Sequence, residues 1–148
     1  MKTHILITGA SRGIGAAIAD ALATDAAKVV ALSSADGDLG DPAIPDQLWA
    51  KSLDRLDGRI DVLVNNAGVF EANPVGASDA DWLESWNRTL QINLTAAALL
   101  CRRAVQLLTV PVGAGEWRRD TFIGGAKCAT RFAIATSSRS SAMSAAVA

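Results

Sequence analysis

The segment TGASRGIG, residues 8–15, constrains the fold of this chain more than any other stretch. Ahead of it Ile5, Leu6 and Ile7 form an apolar run long enough for a buried strand and too short for a helix. After it Ile14, Ile18, Ala21 and Leu22 recur at helical spacing, with Asp20, Thr24 and Asp25 on the other side. A strand, a glycine turn and a helix in immediate succession are the context that a glycine motif needs before it carries chemical meaning. Gly9 suits a sharp exit from the strand, Gly13 lets the backbone approach a ligand with no Cβ in the way, and Gly15 lets the helix pack close to the sheet. The unpaired N–H groups and positive dipole end of that helix then face outward, ready for a pyrophosphate. Glycine-rich turns between strand and helix also occur with no ligand, so the motif alone leaves both readings open. A Walker-type phosphate loop is excluded, because no Gly-Lys-Ser/Thr follows.

The alternation continues downstream. KVVAL, residues 28–32, reads as a second strand, and Asp41 followed by Pro42 is a good N-cap with proline at the first helical position. From there Ile44, Leu48, Trp49, Leu53, Leu56 and Ile60 trace an amphipathic stripe, and IDVLVNNAG, residues 60–68, is a third strand ending in polar residues and glycine. Elements that alternate in this way imply a parallel sheet with helices on both faces, where ligands bind at the carboxyl ends of the strands.

With TGASRGIG, NNAG (residues 65–68) and QINLTAA (residues 91–97) in this order, the sequence resembles the short-chain dehydrogenase/reductase family over residues 3 to 108. The resemblance implies an α/β fold, a Rossmann-type doubly wound parallel sheet, and hydride transfer between a nicotinamide cofactor and a carbonyl or alcohol of a small-molecule substrate. It makes Asn93 the active-site asparagine and assigns Gly9, Ser11, Arg12, Gly13, Ile14 and Gly15 to the cofactor. Asn65, Ala67 and Gly68 would end their strand beside the dinucleotide, where small residues let backbone groups approach it; a plain tight turn is the other reading. Asp38 and Leu39 are similar to the family's Asp-Leu or Asp-Val pair that contacts the adenine ring. Asp38 also sits in a run of turn-formers, SSADGDLGDP, where a solvated acid needs no ligand.

Cofactor choice follows from charge. An acid near the end of the second strand suits the ribose hydroxyl of NAD, whereas a 2′-phosphate calls for a nearby cation. Ser33 and Ser34 stand where the acid would be, and Arg12 lies inside the glycine loop, so NADP is expected. Asp36, acting as a displaced ribose acid, keeps NAD open.

Composition narrows the remaining classes. The chain has 148 residues, half of them apolar, enough for one domain with a real core. A net charge of −1 gives no electrostatic reason to expect nucleic acid or anionic lipid as a partner. Cys101 and Cys128 suggest no disulfide framework, and Lys2, Arg12 and Asp20 interrupt any signal peptide or membrane span, so a cytoplasmic protein is expected. His4 is the only histidine, and no metal site is expected. Along the helix of residues 90–108, Leu90, Leu94, Ala97, Cys101, Ala104, Val105 and Leu108 form one apolar stripe and Leu99, Leu100 and Leu107 another. A helix apolar on two sides needs two covers, the sheet and either the rest of the chain or a second subunit.

The family's proton chemistry rests on a tyrosine and a lysine in a YxxxK motif, and this sequence contains no tyrosine. IGGAK, residues 123–127, offers Lys127 but has Ile123 where the phenol should be. TRFAIATSS, residues 130–138, resembles the strand that ends in the family's serine, making Ser137 or Ser138 the candidate. The two alignments exclude each other, because in the family the serine precedes the tyrosine motif. Residues 1–108 hold fifteen leucines and residues 109–148 none; residues 116–148 carry five basic and two acidic groups against nine and thirteen before them. Residues 1–108 are thus expected to form the dinucleotide-binding domain, with a sheet incomplete on one side. Residues 109–148 read as an atypical tail with a flexible end, truncated relative to the family or read out of frame. Two functions stay open: an oxidoreductase of this family, and a catalytically silent NADP-binding module or disrupted fragment.

Overall fold

β1 (Thr3–Ile7) lies inside the sheet, because its three apolar residues need cover on both faces: Ile5, Leu6 and Ile7 are 4%, 0% and 0% exposed. It pairs in parallel with β2 (Ala27–Ala31) on one side and β3 (Val62–Asn65) on the other, with Leu6 opposite both Val30 and Leu63. The computed structural model describes residues 2–108, 121–125 and 132–134. Within them β4 (Thr121–Gly125) adds in parallel to β3 and β5 (Phe132–Ile134) adds antiparallel to β4, giving the order β2-β1-β3-β4-β5. Lys127, Ser137 and Ser138 lie outside the described residues.

Among the described residues four α-helices accompany the sheet: α1 (Gly13–Leu22), α2 (Ile44–Arg55), α3 (Asp79–Leu90) and α4 (Ala96–Leu108). Side chains alternate along a strand, so Leu6, Val30 and Leu63 share one face. That face meets Leu48 and Trp49 of α2 and Leu100 and Ala104 of α4, with Leu56 and Ile60 closing the cluster. The stripe expected on the second helix is therefore the core, with Ile44 and Leu53 packed against it. The chain runs from β1 out to β2 and then back past β1 to β3. Such a reversal leaves a crevice at the carboxyl ends of β1 and β3. Among the described strands β2 has a neighbour on one side only and forms an edge.

Three local expectations change. Helix α2 starts at Ile44, later than an Asp41 cap implies; the Asp41 carboxylate accepts from the Ala43 N–H (2.8 Å), making a turn ahead of the helix, and Pro45 occupies the first helical turn. Ile14 does not join the core stripe of α1; it is 65% exposed, and Gly15 is the one buried residue of that helix. Between α3 and α4 the backbone makes a π-helical turn, Gln91–Thr95, in which the Ala96 N–H reaches the Gln91 carbonyl. One extra residue in the turn rotates the helix phase. As a result Ile92, Ala96, Leu100 and Ala104 are buried, while Leu90 and Leu94 of the expected stripe are 38% and 63% exposed.

Candidate functional site

The site is built where β1 ends. The Thr8 hydroxyl accepts from the backbone N–H groups of Asn66 and Ala67, both at 3.1 Å, and the Asn66 amide donates to the carbonyls of Thr8 (3.1 Å) and Gly9 (2.8 Å). These bonds bind the glycine turn to the end of β3. The fit is close: a Cβ on Gly9, whose φ is +66°, would stand 2.6 Å from the Ala67 Cα. A Cβ on Gly15 would stand 2.2 Å from both the Gly9 carbonyl oxygen and the Asn66 side-chain nitrogen. Gly13 differs, since its φ of +57° also excludes most side chains but a Cβ there would meet nothing within 4 Å. Arg12 caps α1 in an extended conformation, is exposed, and pairs with no acid among the described residues.

A cleft of about 920 Å³ opens above this turn. The residues expected from the glycine turn, the Asp38-Leu39 pair, NNAG and QINLTAA line it, namely Gly9, Ser11, Arg12, Gly13, Ile14, Gly15, Asp38, Leu39, Asn65, Ala67, Gly68 and Asn93, whereas Asp36 does not. Ser33 and Ser34, expected at the end of the second strand, line it too, as do Thr8, Asn66, Val69 and Arg88, which were not expected. Thr8 and Asn66 fall inside the two quoted motifs, and their neighbours in sequence were the only available signal. Their tie across 58 residues exists only once β1 lies beside β3.

Both polar ends of the Asn93 side chain bond the backbone of Val69: the Nδ2 amide donates to its carbonyl (2.7 Å), and Oδ1 accepts from its N–H (2.8 Å). The π-turn thus holds the segment that follows NNAG. Asn65, 5% exposed, donates to the Ala97 carbonyl (3.5 Å) and the Cys101 Sγ (3.3 Å), joining β3 to α4. Burial pushes the Cys101 thiol above its ordinary value, against the opposing effect of the Asn65 amide.

At the β2 end, Asp36 accepts from the N–H (2.8 Å) and hydroxyl (3.1 Å) of Ser33, so a carboxylate does stand near the strand end, held below the usual carboxylate range mainly by that N–H. Asp38 receives two N–H groups of Arg88 (3.0 and 3.2 Å) and the N–H of Gly40 (2.9 Å). The Arg88 fork and then the Gly40 N–H lower its pKa. His4 lies outside the cleft, 3.4 Å from both Asp57 and Asp61. Among the described residues no group of three or more His, Cys, Asp or Glu is arranged for a metal, and no helix is long and apolar enough to cross a membrane.

Residues 3–39 and 32–116 match the family model described as short chain dehydrogenase. The chain is 37% identical over 142 aligned positions to the 3-oxoacyl-[acyl-carrier-protein] reductase of Synechocystis sp., covering 81% of this chain and 56% of that protein. Among solved structures, a blue fluorescent protein from a metagenomic library in complex with NADPH matches with a TM-score of 0.59 and 31% identity, over 70% of this chain and 50% of the other. The 3-ketoacyl-(acyl-carrier-protein) reductase of Brucella melitensis complexed with NADH matches with a TM-score of 0.61 and 25% identity, over 72% and 50%. The chain spans about half the length of the relatives it matches.

Proposed function

The chain belongs to the short chain dehydrogenase family, and from that premise we propose that its cleft holds a nicotinamide dinucleotide, with NADP preferred to NAD. The observation that carries this reading is the glycine turn. Open space over Gly13, at the N-terminus of a ten-residue helix, suits a pyrophosphate, and the rigid seating of Gly9 and Gly15 against Asn66 and Ala67 keeps that space formed. In this proposal Ser11, Arg12, Gly13 and Ile14 hold the phosphates, Asp38 and Leu39 the adenosine end, and Ala67, Gly68 and Asn93 the wall beside the nicotinamide. The similar proteins solved with NADPH and with NADH support the cofactor class.

The preference for NADP rests on Arg12, an exposed guanidinium in the cleft with no acid paired to it among the described residues. Arg12→Ala should weaken NADPH binding by about 1 to 3 kcal/mol, the scale of one charge-assisted hydrogen bond, and leave NADH nearly unchanged. Isothermal titration with both nucleotides checks this. Equal losses would mean that Arg12 shapes the loop without reading the 2′-phosphate, and Asp36 beside Ser33 would then favour NAD.

For the reaction class, the proposal is hydride transfer between the nicotinamide and a carbonyl or alcohol of a small molecule, the bound cofactor supplying or taking the hydride. One specific observation favours a second reading for these 148 residues, binding without turnover: the chain holds no tyrosine. Lastly, Leu90 and Val105, which lie outside the cleft, are each 38% exposed, and we assign this surface to a second copy of the chain. Sedimentation equilibrium should show a dimer that Val105→Glu dissociates. A parent that stays monomeric across the concentration range contradicts the assignment.

A further inference from the structure

We propose that Arg88 is a positioning residue for the cofactor cleft, locking together the two loops that flank it. The proposal rests on the dinucleotide reading above. Arg88 projects from α3 and carries three directed N–H bonds to two separate stretches. Two go to Asp38, 50 residues away in the loop between β2 and α2, and its Nε donates to Glu71 (3.0 Å), 17 residues away in the segment after β3. Gln91, from the adjoining π-turn, adds a longer bond to the Leu39 carbonyl (3.4 Å).

The loop is shaped around this fork. A Cβ on Gly40 would stand 2.1 Å from the Arg88 Nη1, so glycine leaves the room in which the guanidinium donates to both oxygens of Asp38. The other polar contacts of the loop are local: Asp36 with Ser33, Asp38 with Gly40, and Asp41 with Ala43. Among the described residues, the hydrogen bonds that reach residues 33–43 from distant elements are those of Arg88 and Gln91. Removing the cation also takes from the Asp38 and Glu71 carboxylates the guanidinium that pairs with both. A planar fork making three bonds is geometry that a lysine cannot reproduce.

The consequence is pre-organisation. With Arg88 in place the residues proposed for adenosine are ordered before nucleotide arrives; without it they must be ordered at the moment of binding. Asp38 is then primarily the anchor of the fork, since three of its acceptor positions are already taken.

The test uses the intact chain. Arg88→Ala should weaken NADPH and 2′,5′-ADP binding about tenfold each, the cost of ordering roughly one loop residue. Arg88→Lys should recover only part of the loss. Gly40→Ala displaces the fork while changing no charge and should act in the same direction. In the absence of nucleotide, amide hydrogen exchange should rise at residues 36–41 and 69–72 and stay at parental rates in the β1 and β3 amides. Parental affinity in both Arg88→Ala and Gly40→Ala, or exchange that rises throughout the chain, overturns the positioning role while leaving the dinucleotide reading intact. A parent chain that binds no NADPH overturns the dinucleotide reading, and this proposal with it.

Discussion

Gly15→Ala should destabilise the chain by about 2 to 5 kcal/mol and remove nucleotide binding. The sign is what makes this informative. Alanine inside a helix normally gains up to about 1 kcal/mol over glycine, so local propensity predicts a small stabilisation. Packing predicts the opposite, because the new Cβ would fall 2.2 Å from the Gly9 carbonyl oxygen and 2.2 Å from the Asn66 amide nitrogen. The oxygen is backbone and cannot rotate away, and moving Asn66 breaks the bonds that hold the turn to β3. Urea unfolding of Gly15→Ala beside the parent measures the difference. Gly13→Ala is the control: it has open space and a strained φ of +57°, and should cost only about 1 kcal/mol of stability. A Gly15→Ala protein as stable as the parent would show that α1 does not depend on close approach to the glycine turn.

The second large effect is on chemistry. The chain as written should reduce no small ketone or aldehyde above background with NADPH, even while binding the nucleotide. Hydride transfer to a carbonyl needs a proton delivered to the oxygen, and losing a positioned general acid costs about 10² to 10⁴ in rate. The chain has no tyrosine to supply one, and both polar ends of Asn93 are bonded to Val69. Absorbance at 340 nm with a panel of carbonyl compounds checks this. Steady consumption of NADPH that Gly13→Asp abolishes would overturn the expectation and require a different proton donor. Supplying a family-like second half with a YxxxK motif should restore turnover and make it depend on Asn93.

What could be read from residue order was what is local. The strand, glycine turn and helix at residues 5–22 follow from a change of hydrophobic period within one short segment, and the two later strands follow from apolar runs that end in turn-formers. Because TGASRGIG and NNAG sit at the carboxyl ends of β1 and β3, parallel pairing brings their expected cofactor residues to one cleft, which Asn93 of the π-turn also lines. What could not be read depends on partners distant in sequence. Thr8 and Asn66 meet across 58 residues and Arg88 and Asp38 across 50, contacts that exist only after β2 and β3 flank β1. The helix phase beyond Gln91 was missed for another reason, since the π-turn inserts a residue that regular spacing cannot anticipate. β4 reads TFIGG, with two glycines that weaken any strand signal, so its parallel pairing with β3 was not legible from propensity.

The measurement that bears most directly on the central proposal is a titration of the intact chain with NADPH, followed by cofactor fluorescence. The glycine turn, the open space over Gly13 and Arg12, which pairs with no acid among the described residues, predict saturable binding at one site per chain, weakened by Arg12→Ala and lost in Gly13→Asp. A linear, unsaturable signal, or saturation unchanged by Gly13→Asp, would contradict the assignment of this cleft to a dinucleotide.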